Sequence, residues 1–86
     1  MQDTLGAFYY PDPSDKSTRM YVRKAGGNIE FRMWHAKHKD IWDKHEWIPI
    51  DVVRKAAAQD PERKKFHLSL YDLNVAKAVL AEAGIS

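Results

Sequence analysis

Three histidines, His35, His38 and His45, fall within eleven residues, with Asp40, Asp43 and Glu46 among and beside them. Imidazole and carboxylate together can hold zinc or another divalent ion. The spacing matches no established ligand motif, and no His-Glu-x-x-His run sets two rings on one helical face. Lys37, Lys39 and Lys44 are interleaved, and their ammonium groups repel a cation held nearby. The three histidines are weak metal candidates, and a polar surface loop accounts for them better. No metal and no cofactor is expected.

Nucleophilic chemistry has little to work with. The chain has no cysteine, which excludes a disulfide framework, a thiolate zinc site and a cysteine nucleophile together. Ser14 and Ser17 fall in a Pro-rich loop, Ser69 suits a helix cap, and Ser86 is terminal. No Gly-x-Ser-x-Gly elbow is present, and Gly26-Gly27 lacks the Gly-Lys-Ser/Thr continuation of a phosphate loop. His67 with Asp51 or Asp72 makes an acid–base pair of a kind that most domains offer, and a residue at a sheet edge explains His67 as well. General acid–base chemistry also needs a pocket. At 86 residues, a chain buries only about 60–65% of the surface its unfolded form exposes.

The third constellation is Arg19, Tyr21, Arg23, Arg32 and Trp34. Rings and guanidiniums interleaved on a sheet suit single-stranded nucleic acid, where bases stack on rings and cations meet phosphates. Lys24, Lys37 and Lys39 would extend such a patch. The same residues also suit pairing within the sheet, with Arg23–Glu30 as an ion pair and Tyr21–Arg32 and Arg19–Trp34 as cation–π pairs. The Gly and aromatic positions of known RNA-binding sheet motifs are missing. Trp34, Trp42 and Trp47, with Phe8, Tyr9, Tyr10 and Phe31, make a large aromatic load. Trp, Tyr and Arg are the usual anchors of protein interfaces. Trp42 and Trp47 are expected to fill core volume, and Trp34 to point outward.

A β-hairpin must position that constellation. Arg19 to Lys24 and Ile29 to Trp34 flank Ala25-Gly26-Gly27-Asn28. A Gly-Gly pair takes the positive φ angles of a two-residue turn. That turn sets Lys24 opposite Ile29, Arg23 opposite Glu30, Val22 opposite Phe31, Tyr21 opposite Arg32, Met20 opposite Met33 and Arg19 opposite Trp34. One face then carries Met20, Val22, Ile29, Phe31 and Met33. The other carries Arg19, Tyr21, Arg23, Glu30, Arg32 and Trp34. A slip of one residue would expose the whole apolar set, so the register is well specified.

Around the hairpin the pattern is coarser. Residues 5–10 are aromatic-rich and predict a strand, which Pro11 and Pro13 end. Asp40 can cap a short turn that puts Ile41 and Trp42 inward. Pro49 suits a first helical turn, and Ile50, Val53 and Ala57, joined by Val52 and Ala56, predict a helix to about Gln59. Asp60-Pro61 stops it. Residues 64–68 predict a short strand. Ser69 with Asp72 has the form of a capping box for a last helix from about Leu70 to Ala83. Its buried face is Leu73, Ala76, Leu80 and Ala83 with Val79. Gly84 is a good residue to end it, with Ile85 folding back. The fold class is α+β: a small, mostly antiparallel sheet of three to four strands, order β-β-β-α-β-α, with two helices packed on one face.

Composition sets the remaining bounds. A hydrophobic share of 44% against 30% charged residues predicts a folded globule, residues 1–86 forming one domain. No apolar run approaches the ~20 residues of a membrane span, and the first residues lack the pattern of a signal peptide. With no cysteine, a cytoplasmic location is expected. Net charge is +2, yet residues 16–67 hold 13 of the 14 Lys and Arg and 7 of the 12 acids, a local +6. Such asymmetry suits a basic binding face or a solvated surface. The sequence reads first as a small non-enzymatic interaction module, its partner an unidentified protein or a second copy of itself. Single-stranded nucleic-acid binding is the alternative, and a small metal-dependent or hydrolytic enzyme comes third.

Overall fold

The computed structural model describes residues 1–59 and 71–84. Five strands form one antiparallel sheet in chain order: β1 (Gln2–Asp3), β2 (Gly6–Tyr9), β3 (Thr18–Ala25), β4 (Asn28–His35) and β5 (Ile48–Pro49). Three helices accompany them among the described residues: α1 (Asp40–His45), α2 (Ile50–Gln59) and α3 (Leu73–Glu82). The fold is small and α+β, as expected, but its details differ. β1 and β5 are additions of two residues each, too short for side-chain alternation to signal them. Among the described residues the order is β-β-β-β-α-β-α-α. The strand expected at 64–68, the stop at Asp60-Pro61, and the roles given to His67, Ser69 and Ile85 lie outside the described residues.

The β3–β4 hairpin has the register that the turn chemistry predicts, from Ala25 opposite Asn28 through Val22 opposite Phe31 to Thr18 opposite His35. Gly26 and Gly27 take φ of 57° and 84°, the pair of positive values that a type I′ turn requires. A Cβ at Gly27 would meet nothing within 4 Å, so the demand on that position is conformational. Gly27→Val is therefore expected to cost about 1–2 kcal/mol through the left-handed backbone alone. That lowers the melting temperature by roughly 4–8 °C per kcal/mol in a domain of this size. An unchanged melting temperature would refute the turn.

β2 pairs with β3 so that Ala7 faces Val22 and Tyr9 faces Met20. These four, with Phe31, form one buried face of the sheet, roofed by Ile50 and Val53 of α2, by Tyr71, and by Ala76, Val79 and Leu80 of α3. Ile29, Met33 and Ile48 pack against this core from its margin. Val52, expected to join it, is instead 51% exposed, because it lies one position off the stripe that Ile50 and Val53 define.

The helix starts also differ from expectation. α3 begins at Leu73, three residues later than Ser69 as cap implies. Its cap is Asp72, whose carboxylate accepts from the backbone N–H groups of Asn74 and Val75 at 3.0 and 3.1 Å. Pro49 closes β5 and leads directly into Ile50. Asp40 is the first residue of α1 rather than its cap, a place where its charge suits the helix dipole.

Candidate interaction face

Alternation along the strands sends Phe8, Arg19, Tyr21, Arg23, Glu30, Arg32 and Trp34 to the sheet face opposite the helix-covered core. This face is not bare. The chain leaves β4 at His35 and returns as α1, which lays Trp42 edge-on against Tyr21, ring centres 5.3 Å apart at 82°. Phe8 meets Tyr21 from the other side at 5.2 Å, and Trp47 meets Trp42 at 5.9 Å. Tyr10 stands edge-on to Phe8. The result is a second layer of rings, smaller than the main core.

The arginines are threaded through these rings. The Arg19 guanidinium lies 4.7 Å from the ring centres of both Phe8 and Trp34. Arg23 lies 4.4 Å from Trp47, and Arg32 lies 4.1 Å from Trp42. Each also has an acid: Arg19 with Asp3 at 3.0 Å, Arg23 with Glu30 at 2.6 Å, and Arg32 with Asp43 at 3.9 Å. Arg32 Nε donates to the Trp42 carbonyl at 2.7 Å, which ties α1 to the sheet. The Tyr21 hydroxyl donates to Asp3 and accepts from Arg19.

The five residues singled out in the sequence are therefore brought together, but not as one open surface. Tyr21 has no exposed surface at all, whereas a binding patch of all five needs each at least partly open. Trp34, Arg19 and Arg32 are partly exposed, and Arg23 is exposed. Arg23–Glu30 and Arg19–Trp34 pair as anticipated. Arg32 takes Trp42 in place of Tyr21. Asp3, Phe8, Trp42, Asp43 and Trp47 complete the cluster. Sequence alone offered for them only the aromatic count and the acids scattered among the bases. Lys24 projects from the helix-covered side of the hairpin, because it stands directly opposite Ile29.

The histidines separate. His35 and His38 lie with ring centres 4.9 Å apart, and His35 Nδ1 accepts from the Lys37 backbone N–H at 3.1 Å. His45 instead meets Tyr71, with Nε2 2.7 Å from the tyrosine oxygen. Among the described residues, no three His, Asp or Glu side chains converge to hold a metal ion. Burial lowers the His45 pKa, the Glu46 carbonyl opposes that shift, and Arg32 adds to it. Burial also pushes the Tyr71 phenol up to about 12. Ser14 and Ser17 are held by local bonds to Asp12 and Asp15, the usual occupation of such residues in turns.

No helix among the described residues is long and apolar enough to cross a membrane. The chain matches no protein-family model, no curated protein and no solved structure, so geometry alone carries the functional argument.

Proposed function

We propose that this chain is a small non-enzymatic binding module. It meets a protein, or a second copy of itself, through the open parts of the Arg–aromatic face: Arg19, Arg23, Arg32 and Trp34, held in place by Tyr21. One observation carries the reading. The three arginines are matched by three acids within 4 Å, so the face is close to neutral. Binding to phosphates draws on cations whose counterions are released, and these cations already have carboxylate partners. A neutral surface of Trp and Arg is instead the composition of interface anchors. Single-stranded nucleic acid remains the competing ligand, because the Trp34 ring is partly open beside Arg19.

Trp34→Ala separates the two. A fluorescent single-stranded oligonucleotide is expected to bind weakly, with a shallow salt dependence, and alike to wild type and variant. The variant is expected to change elution volume, or to weaken a purified partner by at least about fivefold, the effect of losing more than about 1 kcal/mol at an anchor. Tight oligonucleotide binding that falls steeply with salt, and loses about 1–3 kcal/mol in Trp34→Ala, would establish base stacking instead.

A further inference from the structure

The last residue of α1 reaches around the sheet edge. β5 pairs with β4 only at Glu30 and Phe31, and α1 runs alongside the remainder of β4. This helix belongs to the Arg–aromatic face, through Trp42 against Tyr21 and the Arg32 bond to the Trp42 carbonyl. Tyr71 belongs to the opposite face, 4% exposed and edge-on to Phe31 just ahead of α3. His45 joins the two. Its ring stacks on Tyr71, with centres 5.9 Å apart, and Nε2 lies 2.7 Å from the phenol oxygen.

The proton positions follow from the partners. Nδ1 lies 2.8 Å from the Glu46 carbonyl, which can only accept, so Nδ1 carries the hydrogen. Nε2 then accepts from the Tyr71 hydroxyl. The chain leaves the helix through Glu46 at φ 57°, a left-handed value that a non-glycine residue keeps only while its surroundings hold it.

We propose that His45 and Tyr71 form a proton-sensitive clasp: protonation of His45 turns Nε2 from acceptor to donor, sets a half-buried charge beside Arg32, and lets α1 lift from Tyr71. The imidazolium would sit half-buried beside the Arg32 guanidinium. Among the described residues, Arg32 faces it from β4, and Lys44 of its own helix, paired with Asp40 at 3.0 Å, lines the same cleft of about 360 Å³ with Met33 and Ile41. Tyr71 faces it from the segment before α3. Next in the chain, Glu46 offers its carbonyl. Asp43 pairs with Arg32 at 3.9 Å and is 87% exposed. Because Trp42 rides on α1, release at His45 reaches the Arg–aromatic face. The sign is fixed by a folded-state pKa below the ordinary value. The clasp is whole above about pH 6.5 and is lost as pH falls from there through the folded pKa.

The test follows the His45 imidazole by NMR and tryptophan emission together, on the full chain, from pH 8 downward. His45 is expected to titrate below about 6.5, with the emission change at the same midpoint. His45→Gln, neutral throughout, should lose that emission change. Tyr71→Phe, which removes the bond between the two faces, should uncouple the emission from the His45 titration. Emission that stays flat across the His45 titration, or a transition that persists in His45→Gln, would overturn the clasp. If His45→Gln does not fold, coincidence of the wild-type midpoints and its loss in Tyr71→Phe decide the matter.

Discussion

Phe31→Ala is expected to remove a large share of the chain's folding stability. Phe31 has no exposed surface. It lies between Val22 of β3 and Ile48 of β5, and Tyr71 stands edge-on to it at 5.4 Å. Removing a buried phenylalanine costs about 3–5 kcal/mol, part lost transfer energy and part the cavity left behind. At about 0.05–0.15 kcal/mol per residue, a chain of 86 residues has on the order of 4–13 kcal/mol in total. The measurement is urea unfolding, with the midpoint falling steeply and the slope unchanged. Val52→Ala, at a 51% exposed position of α2, is the control and should stay within about 0.5 kcal/mol. A loss below about 1.5 kcal/mol for Phe31→Ala would mean that the two sheet neighbours and Tyr71 do not form one core.

That core was legible because two local rules agreed. Gly26-Gly27 set the turn, and the period-two pattern of Met20, Val22, Phe31 and Met33 set the faces. Together they leave one register. α3 was legible for the same kind of reason, since Ala76, Val79 and Leu80 recur at helical spacing and are the residues found buried. Its start was misplaced because Ser69 and Asp72 both have cap chemistry, and sequence spacing does not choose between them. β1 and β5 were missed because two residues carry no alternation. Tertiary pairing makes them strands.

The Arg–aromatic face was harder for a deeper reason. Alternation tells which side chains share a face, but not whether anything covers that face. Arg19, Tyr21, Arg23, Arg32 and Trp34 look like a solvated set because their types are polar or amphipathic. The cover comes from residues 40–47, where Trp42 and Trp47 are spaced by lysine, histidine and acids in no clear period. Those two tryptophans were expected to fill the core, but both are only partly buried and lie on the second face. Cation–π contact is what makes the layer possible. Each guanidinium keeps an edge toward water or a carboxylate while its plane covers a ring.

Tyr21 distinguishes a covered second face from an open one. If the hairpin had one buried face and one open face, Tyr21→Ala would be a surface change worth no more than about 0.5 kcal/mol. The ring is instead fully buried between Phe8 and Trp42, so Tyr21→Ala should cost about 3–5 kcal/mol, like the loss of a core phenylalanine. Tyr21→Phe should cost only about 1 kcal/mol. It keeps the ring and leaves Arg19 and Asp3 paired with each other at 3.0 Å. Alkaline unfolding supplies an independent check. Burial first, and the bond to Asp3 next, hold the Tyr21 hydroxyl above the ordinary phenol range. A group whose folded pKa is raised gives full stability below its unfolded value and loses it as pH rises. Stability attributable to Tyr21 should therefore decline above about pH 10, and Tyr21→Phe should remove that part of the decline. A Tyr21→Ala variant as stable as wild type would return the face to open solvent, and the neutral, covered interface proposed for it would fall as well.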